Sequence, residues 1–420
     1  MLAKCRQISM LCAVSAASLV VNACGGCTIL NQRTEITTSA ASLGPARFQA
    51  PFSTAEQGFK VTSLPATSTL ASEAAQLGSR SHKIDHTVQA LLRQHNIPGA
   101  AVAVLQNGRV SYVKAFGYAD LEHGRALQAE QRFMLGNASH QFVAAAVLLL
   151  VQDGKITLDE KIGRYLGEVP NSWRNITVRQ LLTNTGGFGP QQPDRFAYYQ
   201  RDHLTGKNND EKLAVLESFP LASKPGRHFI ESQLGYDALG FIVAKVSGKT
   251  YIDFVQQRIF QPLGMHSARL VQAGANDAQA VTGYLAKDGL DYAVRYHANT
   301  LAHASLAATN IEMNVLDMAK WDLALNSNQV LNAESRAQMW QAQVANEETQ
   351  HAYGFGWSVQ HKAGTTQLSQ TGLLQSSTAD YRRYPEAQLS VIIFTNKADN
   401  GDSTSLAPAI TRIVQPKLAV

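Results

Sequence analysis

Residues 133–155 read Phe133-Met-Leu-Gly-Asn137-Ala-Ser-His140-Gln-Phe and then Val-Ala-Ala-Ala-Val-Leu-Leu-Leu-Val-Gln-Asp-Gly-Lys155. The apolar run that ends at Gln152 predicts a helix starting at Asn137. Asparagine is favoured at the residue that caps a helix N-terminus, so Asn137 is expected to be this N-cap. His140 follows one turn later, on the same helix face. The stretch therefore predicts an apolar helix that opens with two neighbouring polar side chains.

Strand and helix patterns surround this helix. On its N-terminal side, helical spacing over 84–95 precedes two strand runs, 100–105 and 110–116, joined by an Asn107-Gly108 turn. On its C-terminal side, helical patterns cover 234–246, 251–260 and 315–325, strand-like runs cover 354–360, 365–369, 378–384 and 389–395, and a last helix covers 406–414. This order predicts an α/β (α+β) fold: an antiparallel sheet flanked by helices, completed by the C-terminal segment, with a mostly helical insert at roughly 140–340.

The N-terminus has the pattern of an export signal. Lys4 and Arg6 precede an apolar run over 8–21 that is too short to span a membrane, which predicts a signal peptide over 1–23. Val21-Asn-Ala-Cys24 resembles a bacterial lipobox, so Cys24 is expected to carry a lipid. Gly25 after it favours the outer membrane, and we expect a periplasmic, outer-membrane-anchored lipoprotein. Ordinary signal cleavage, with Cys24 and Cys27 as a redox or metal pair, is the alternative.

Residues 24–80 are rich in Ser, Thr, Ala, Gln and Pro, which predicts a flexible tether between the lipid anchor and a domain over 81–420. A partly ordered strap across the domain surface is the other interpretation. All four cysteines lie at positions 5, 12, 24 and 27, so no disulfide framework is expected in the domain.

The composition suits a soluble globular protein, with 45% hydrophobic and 16% charged residues in 420. Removing the two positive charges of Lys4 and Arg6 lowers the net charge from +5 to +3. Basic residues form no run, which argues against nucleic acid as a partner. His203, His228 and His303 lack the spacing of metal ligands, and neither a metal nor a cofactor is predicted.

Several stretches, in this order, resemble the framework of the serine β-lactamase and penicillin-binding-protein family, in particular serine hydrolases related to class C β-lactamases. The resemblance covers about 82–415 and rests on Ile97-Pro-Gly-Ala-Ala-Val-Ala-Val, Leu181-Leu-Thr-Asn-Thr-Gly186, Pro225-Gly226, Gly235-Tyr-Asp-Ala-Leu-Gly240, Val246-Ser-Gly-Lys249, Pro262-Leu-Gly-Met265 and Tyr353-Gly-Phe-Gly-Trp357. It implies a β-lactamase/transpeptidase-like fold, with a ligand site between the sheet and the helical insert.

The family's catalytic motifs are altered at each position that matters. The Ser-x-x-Lys motif falls on Asn137 and His140, so the serine nucleophile and the lysine base are both replaced. The Tyr-x-Asn motif falls on Glu231-Ser232-Gln233, where a carboxylate replaces the phenol. The Lys/His-Thr-Gly motif falls on Gln370-Thr371-Gly372, which lacks the positive charge that would meet a substrate carboxylate.

The resemblance places these residues around one pocket. It implies that His140 lies beside Glu231, as the family's lysine lies beside its tyrosine. A carboxylate next to an imidazole raises the imidazole pKa, so this pair is a candidate general acid/base. Asn137, Gln233 and Gln370 would supply amide groups for hydrogen bonds. Ser139 and Ser232 are the remaining serines of the motifs.

Three functions are consistent with this sequence. The preferred hypothesis is a non-hydrolytic pseudoenzyme that binds a polar small molecule or cell-wall-type fragment, or a protein partner, while its lipid anchor contacts the membrane. The second is an enzyme that uses His140 and Glu231 without a covalent intermediate. The third is an active serine hydrolase of esterase, D-peptidase or β-lactamase type, with a nucleophile recruited from Ser139 or Ser232.

Overall fold

The computed structural model describes residues 58–59, 77–189, 209–271, 277–286, 293–295, 311–345, 352–362, 364–374, 377–398 and 401–418. The predicted signal peptide, Cys24 and most of the predicted tether lie outside these residues. None of the helices in the described ranges has the length and apolarity needed to cross a membrane.

The described chain contains a group of helices between an N-terminal and a C-terminal group of strands, with short strands among them. The helices are α1 Ser79–Gln94, α2 His140–Gln152, α3 Gly163–Leu166, α4 Val178–Leu182, α5 Asn209–Glu217, α6 Gln233–Ser247, α7 Tyr251–Val255, α8 Val315–Ala324, α9 Ala333–Trp340 and α10 Leu406–Val414. The strands are β1 Gly58–Phe59, β2 Gly99–Gln106, β3 Arg109–Asp120, β4 Arg125–Ala126, β5 Phe133–Met134, β6 Arg269–Leu270, β7 Tyr284–Ala286, β8 Ala293–Arg295, β9 Ile311–Met313, β10 Val344–Ala345, β11 Ala352–Tyr353, β12 Ser358–Lys362, β13 Thr365–Leu374, β14 Ser377–Tyr384, β15 Leu389–Thr395 and β16 Lys397–Ala398.

The main sheet has nine strands in the order β10-β11-β12-β13-β14-β15-β2-β3-β4, and its strand pairs are antiparallel. Strand β15, near the C-terminus, lies between β14 and the N-terminal β2, so the C-terminal segment completes the sheet. The α/β (α+β) fold with an antiparallel sheet flanked by helices is confirmed. The Asn107-Gly108 turn is confirmed as well, since both residues have the positive φ angles, 53° and 71°, that a tight two-residue hairpin needs.

Both faces of the central strands are buried, because successive side chains of a strand point to opposite faces. Ala101, Ala103 and Leu105 of β2 join the larger core, which also contains the side chains of α2 and α6. Ala100, Val102 and Val104 join a second core with side chains from α1 and α10. The sheet is therefore the middle layer, and the predicted flanking helices cover it from both sides.

The insert is less purely helical than expected. Helices α2 to α9 lie within 140–340, but strands β6 to β9 interrupt them, and β9 pairs with β5 at Phe133↔Met313. The predicted strand 354–360 is wrong in its first half, because Gly356 turns the chain with φ 73°. A Cβ at Gly356 would lie 2.8 Å from the backbone oxygen of His140, so only glycine fits this turn.

Candidate functional site

The helix that carries the first motif begins later than the sequence predicts. Gly136–Ser139 forms a 3₁₀ turn, and the α-helix α2 starts at His140. Asn137 lies inside this turn and does not cap α2, so its predicted role as N-cap is wrong. Its side chain reaches another part of the chain: Nδ2 donates a hydrogen bond of 3.0 Å to Oε1 of Glu231. The first and second motifs therefore meet through their substituted residues.

Glu231 lies in the loop that leads into α6 and is exposed at its surface. Neighbouring protein atoms partly desolvate its carboxyl group, which raises the Glu231 pKa, while the hydrogen bond from Asn137 opposes the rise. Among the described residues, Asn137 is the hydrogen-bond partner of Glu231. The second carboxylate oxygen of Glu231 has no hydrogen-bond partner in the described part of the chain.

His140 does not form the predicted pair with Glu231. Its side chain is fully buried, and neither ring nitrogen has a hydrogen-bond partner among the described residues. The ring stacks on Tyr236 with centroids 3.9 Å apart and planes 10° apart, and the Tyr236 hydroxyl donates to the Leu182 carbonyl at 2.6 Å. Burial lowers the His140 pKa to about 3, opposite to the rise predicted for a pair with a carboxylate.

The third motif lies on β13 and packs directly against the turn of the first. A Cβ at Gly372 would lie 1.7 Å from the Leu135 carbonyl oxygen and 2.9 Å from the Ala138 nitrogen. Gln370 is buried, and its Nε2 donates to the carbonyl of Gly356. Gly372 thus permits backbone contact with the 3₁₀ turn. Gln370, where the family motif has a cation, instead hydrogen-bonds to the backbone of the turn at Gly356.

Two further residues, Tyr353 and Asn184, lie near the motif residues, and both belong to stretches that resemble the family framework. The Tyr353 hydroxyl is buried without a hydrogen-bond partner in the described chain, and Glu231, Gln370 and Asn184 are near enough to affect it. Its pKa is raised mainly by burial and next by the negative charge of Glu231. The Asn184 side chain accepts the backbone N–H of Ser232 at 3.2 Å. From the sequence alone, only their place in the framework stretches 181–186 and 353–357 could have pointed to these two residues.

The hydroxyl groups of the motifs differ in accessibility. Ser139 is fully buried, with an Oγ that has no partner in the described chain. Ser232 is also buried, and its Oγ donates to the Gly189 carbonyl at 3.2 Å. Thr371 is exposed on β13. Gln233 begins α6 and is half-buried, and its role in the pocket stays a prediction.

One group in the described chain brings metal-ligand atoms together. Ligand atoms of Asp120, Glu122 and His123 lie within 4.8 Å of one another. The Asp120 carboxylate already accepts a hydrogen bond from Thr282 Oγ1 at 3.0 Å and contacts His123 Nδ1 at 3.0 Å. None of the motif residues belongs to this group.

Known proteins resemble this chain over most of the domain. Penicillin-binding protein 4* of Bacillus subtilis (strain 168) is 24% identical over 327 residues, which make up 74% of this chain and 71% of that protein. Esterase EstB of Burkholderia gladioli is 32% identical over 213 residues, 48% of this chain, and the match spans only 53% of the esterase. The octameric penicillin-binding protein homologue from Pyrococcus abyssi shares the fold, with a TM-score of 0.69 and 22% identity over 79% of this chain and 76% of that one.

A sequence model of the family described as Beta-lactamase matches residues 84–415, close to the 82–415 that the motifs predict. This match agrees with the framework stretches, with the order of strands in the sheet and with the meeting of the three motifs at one place. The chain belongs to the Beta-lactamase family.

Proposed function

We propose that this protein is a non-hydrolytic member of its family, which binds a small polar ligand at the Asn137–Glu231 site. This site consists of Asn137, Glu231, Gln370 and Thr371. One observation carries the proposal: the position of the nucleophilic serine holds an amide that is hydrogen-bonded to a carboxylate at 3.0 Å. An amide side chain does not attack a carbonyl carbon as an alkoxide does. The family's acyl-enzyme therefore has no atom on which to form.

The two alternatives have less support. A serine hydrolase needs an accessible hydroxyl with a base, but Ser139 and Ser232 are buried, and neither contacts a base in the part of the chain that the structure describes. A non-covalent acid/base enzyme needs a pKa near the working pH, whereas burial lowers that of His140 to about 3. The two relatives are named as a penicillin-binding protein and an esterase. We propose that this chain does not form the covalent acyl-enzyme on which either activity would depend.

Intact-mass spectrometry tests the proposal. The purified protein is incubated with benzylpenicillin and separately with a fluorophosphonate, and its mass is compared with that of untreated protein. We expect no adduct from protein whose circular dichroism shows that it is folded. A stoichiometric adduct on Ser139, Ser232 or Thr371 would restore a serine or threonine hydrolase and overturn the proposal. An active serine hydrolase treated in parallel shows that the reagents react.

We also propose that the protein is exported and lipidated at Cys24, so that the domain lies in the periplasm on the outer membrane. The apolar run over 8–21 and the Val21-Asn-Ala-Cys24 sequence support this. A cell-wall-type fragment or a protein partner in that compartment would then be within reach. Cell fractionation checks the proposal: wild type should follow the membrane fraction, and Cys24→Ala should not. Recovery of both in the soluble fraction would contradict it.

A further inference from the structure

The Asn137–Glu231 site holds an acidic side chain and no cation of the described chain. Glu231 accepts one hydrogen bond, from a neutral amide, and forms no ion pair with a described Lys, Arg or His. Ion pairs elsewhere in the domain, such as Arg179–Asp159 at 2.6 Å, show that carboxylates with a cation in reach do pair. An exposed position lets a ligand approach the free oxygen of Glu231.

The position where the family motif places a cation supplies no positive charge. Gln370 is neutral, buried, and engaged with the Gly356 carbonyl through Nε2. A ligand carboxylate at this site would therefore meet Glu231 without a cation to offset the repulsion. Like charges brought together in a partly buried site repel strongly, which disfavours anionic ligands.

Glu231 and Asn137 each keep one acceptor oxygen outside their hydrogen bond. An ionised carboxylate only accepts hydrogen bonds, so the Nδ2 of Asn137 must face Glu231 and its Oδ1 must face away. Oδ1 of Asn137 has no partner among the described residues. A primary ammonium group has three donors and no acceptor, so it can donate to the second oxygen of Glu231.

Aromatic side chains lie next to these acceptors. The Tyr353 hydroxyl is close enough to Glu231 to be affected by its charge, and the Tyr353 ring packs on Phe229 with centroids 5.1 Å apart. Phe229 is half-buried, so part of it is open to a ligand. Aromatic rings attract cations and apolar groups alike.

We propose that the Asn137–Glu231 site selects small organic cations, in which a primary ammonium group donates to Glu231, and that it rejects carboxylates. This inference rests on the proposed ligand-binding function and names the chemical class of its ligand. It assigns the site the charge preference opposite to that of a motif with Lys or His at position 370.

The test compares two probes with the same ring and opposite charge, benzylammonium and benzoate. Binding to the full chain is measured by saturation-transfer NMR titration at pH 7.5 and low salt. We expect benzylammonium to bind at least about tenfold more tightly than benzoate, since a charge-assisted hydrogen bond distinguishes the two. Glu231→Gln, which keeps the shape but removes the charge, should weaken benzylammonium binding by about tenfold. Glu168→Gln removes an exposed charge outside the site and should leave the affinity unchanged.

Each other result counts against the proposal. Equal or tighter binding of benzoate, the same benzylammonium affinity in Glu231→Gln, or no binding of either probe to folded protein would overturn it. The mass-spectrometric test of the proposed function is independent. A penicillin adduct together with benzylammonium binding would reject the non-hydrolytic function while retaining the charge preference.

Discussion

At the residue scale, His140 shows that environment decides what a titratable side chain does. Histidine is the usual proton carrier near neutral pH. Here the ring lies in the core against Tyr236, with no partner for either nitrogen in the described chain. Burial without a hydrogen bond disfavours the charged form and lowers the pKa to about 3. The side chain therefore serves as part of the packing below Asn137.

This burial predicts a specific loss of stability in acid. Below pH 6.5 the unfolded chain protonates His140 while the folded chain does not, so stability falls as pH decreases from about 6.5 to about 3. Between pH 7.5 and 5 this one group should remove about 2 kcal/mol from the free energy of unfolding. His140→Phe keeps a ring on Tyr236 and should abolish that part of the loss.

Urea denaturation of wild type and His140→Phe at both pH values measures the difference. His82→Gln, which changes an exposed histidine, serves as the matched control and should follow wild type. If wild type and His140→Phe lost the same free energy on acidification, His140 would not be held neutral by the fold.

At the element scale, the close approach of β13 to the 3₁₀ turn Gly136–Ser139 holds the motifs together. The contact is between backbones, because Gly372 leaves no side chain between Leu135 and Ala138. Packing at this distance keeps Asn137 next to the strand that carries Gln370 and Thr371. Glycine at position 372 is therefore needed both for the packing of β13 and for the arrangement of the motif residues.

Gly372→Ala should be strongly destabilising. Its Cβ would meet the Leu135 carbonyl oxygen at 1.7 Å, which forces the strand and the turn apart. We expect a loss of about 3 kcal/mol or more in the free energy of unfolding, measured by urea denaturation. Gly163→Ala in α3, where the nearest side-chain atom is at 3.4 Å, is the control and should change stability by less than about 1 kcal/mol. Similar losses in both variants would show that the close approach is relieved at little cost.

At the scale of the whole molecule, helices from the two ends of the domain cover one face of the sheet. Side chains of α1, among them Ile84 and Val88, pack with Ile410 and Val414 of α10 in the second core. The fold is complete only when α10, among the last residues of the domain, has docked on this face.

Ile410→Ala should therefore destabilise the entire domain. Ile410 is fully buried, and replacing such a side chain with alanine costs about 2–5 kcal/mol. Ile413→Ala, on a partly buried side chain of the same helix, is the control and should cost less. Thermal unfolding followed by circular dichroism should show a lower Tm in Ile410→Ala with one transition. Two separated transitions would mean that α10 detaches independently of the sheet.

Much of the fold follows from local sequence patterns. The strand 389–395 and the helix 406–414 have the predicted bounds, and the Asn107-Gly108 turn has the predicted geometry. Apolar periodicity and turn residues act over a few positions, so the sequence alone determines them. The ordered framework motifs also predict the family, which the match over 84–415 confirms. The turn at Gly356 was missed because its cause is a contact with His140, far away in the chain.

The arrangement of the site was decided only by the tertiary structure. Asn137 and Glu231 are 94 residues apart, and their hydrogen bond replaces both the predicted cap and the predicted His140–Glu231 pair. The burial of Ser139 and Ser232 depends likewise on elements that meet in three dimensions. Residue types and spacing determine which groups are present in this site. The packing of α2, the loop before α6 and β13 decides which of them face each other, which reach solvent, and which carry a charge.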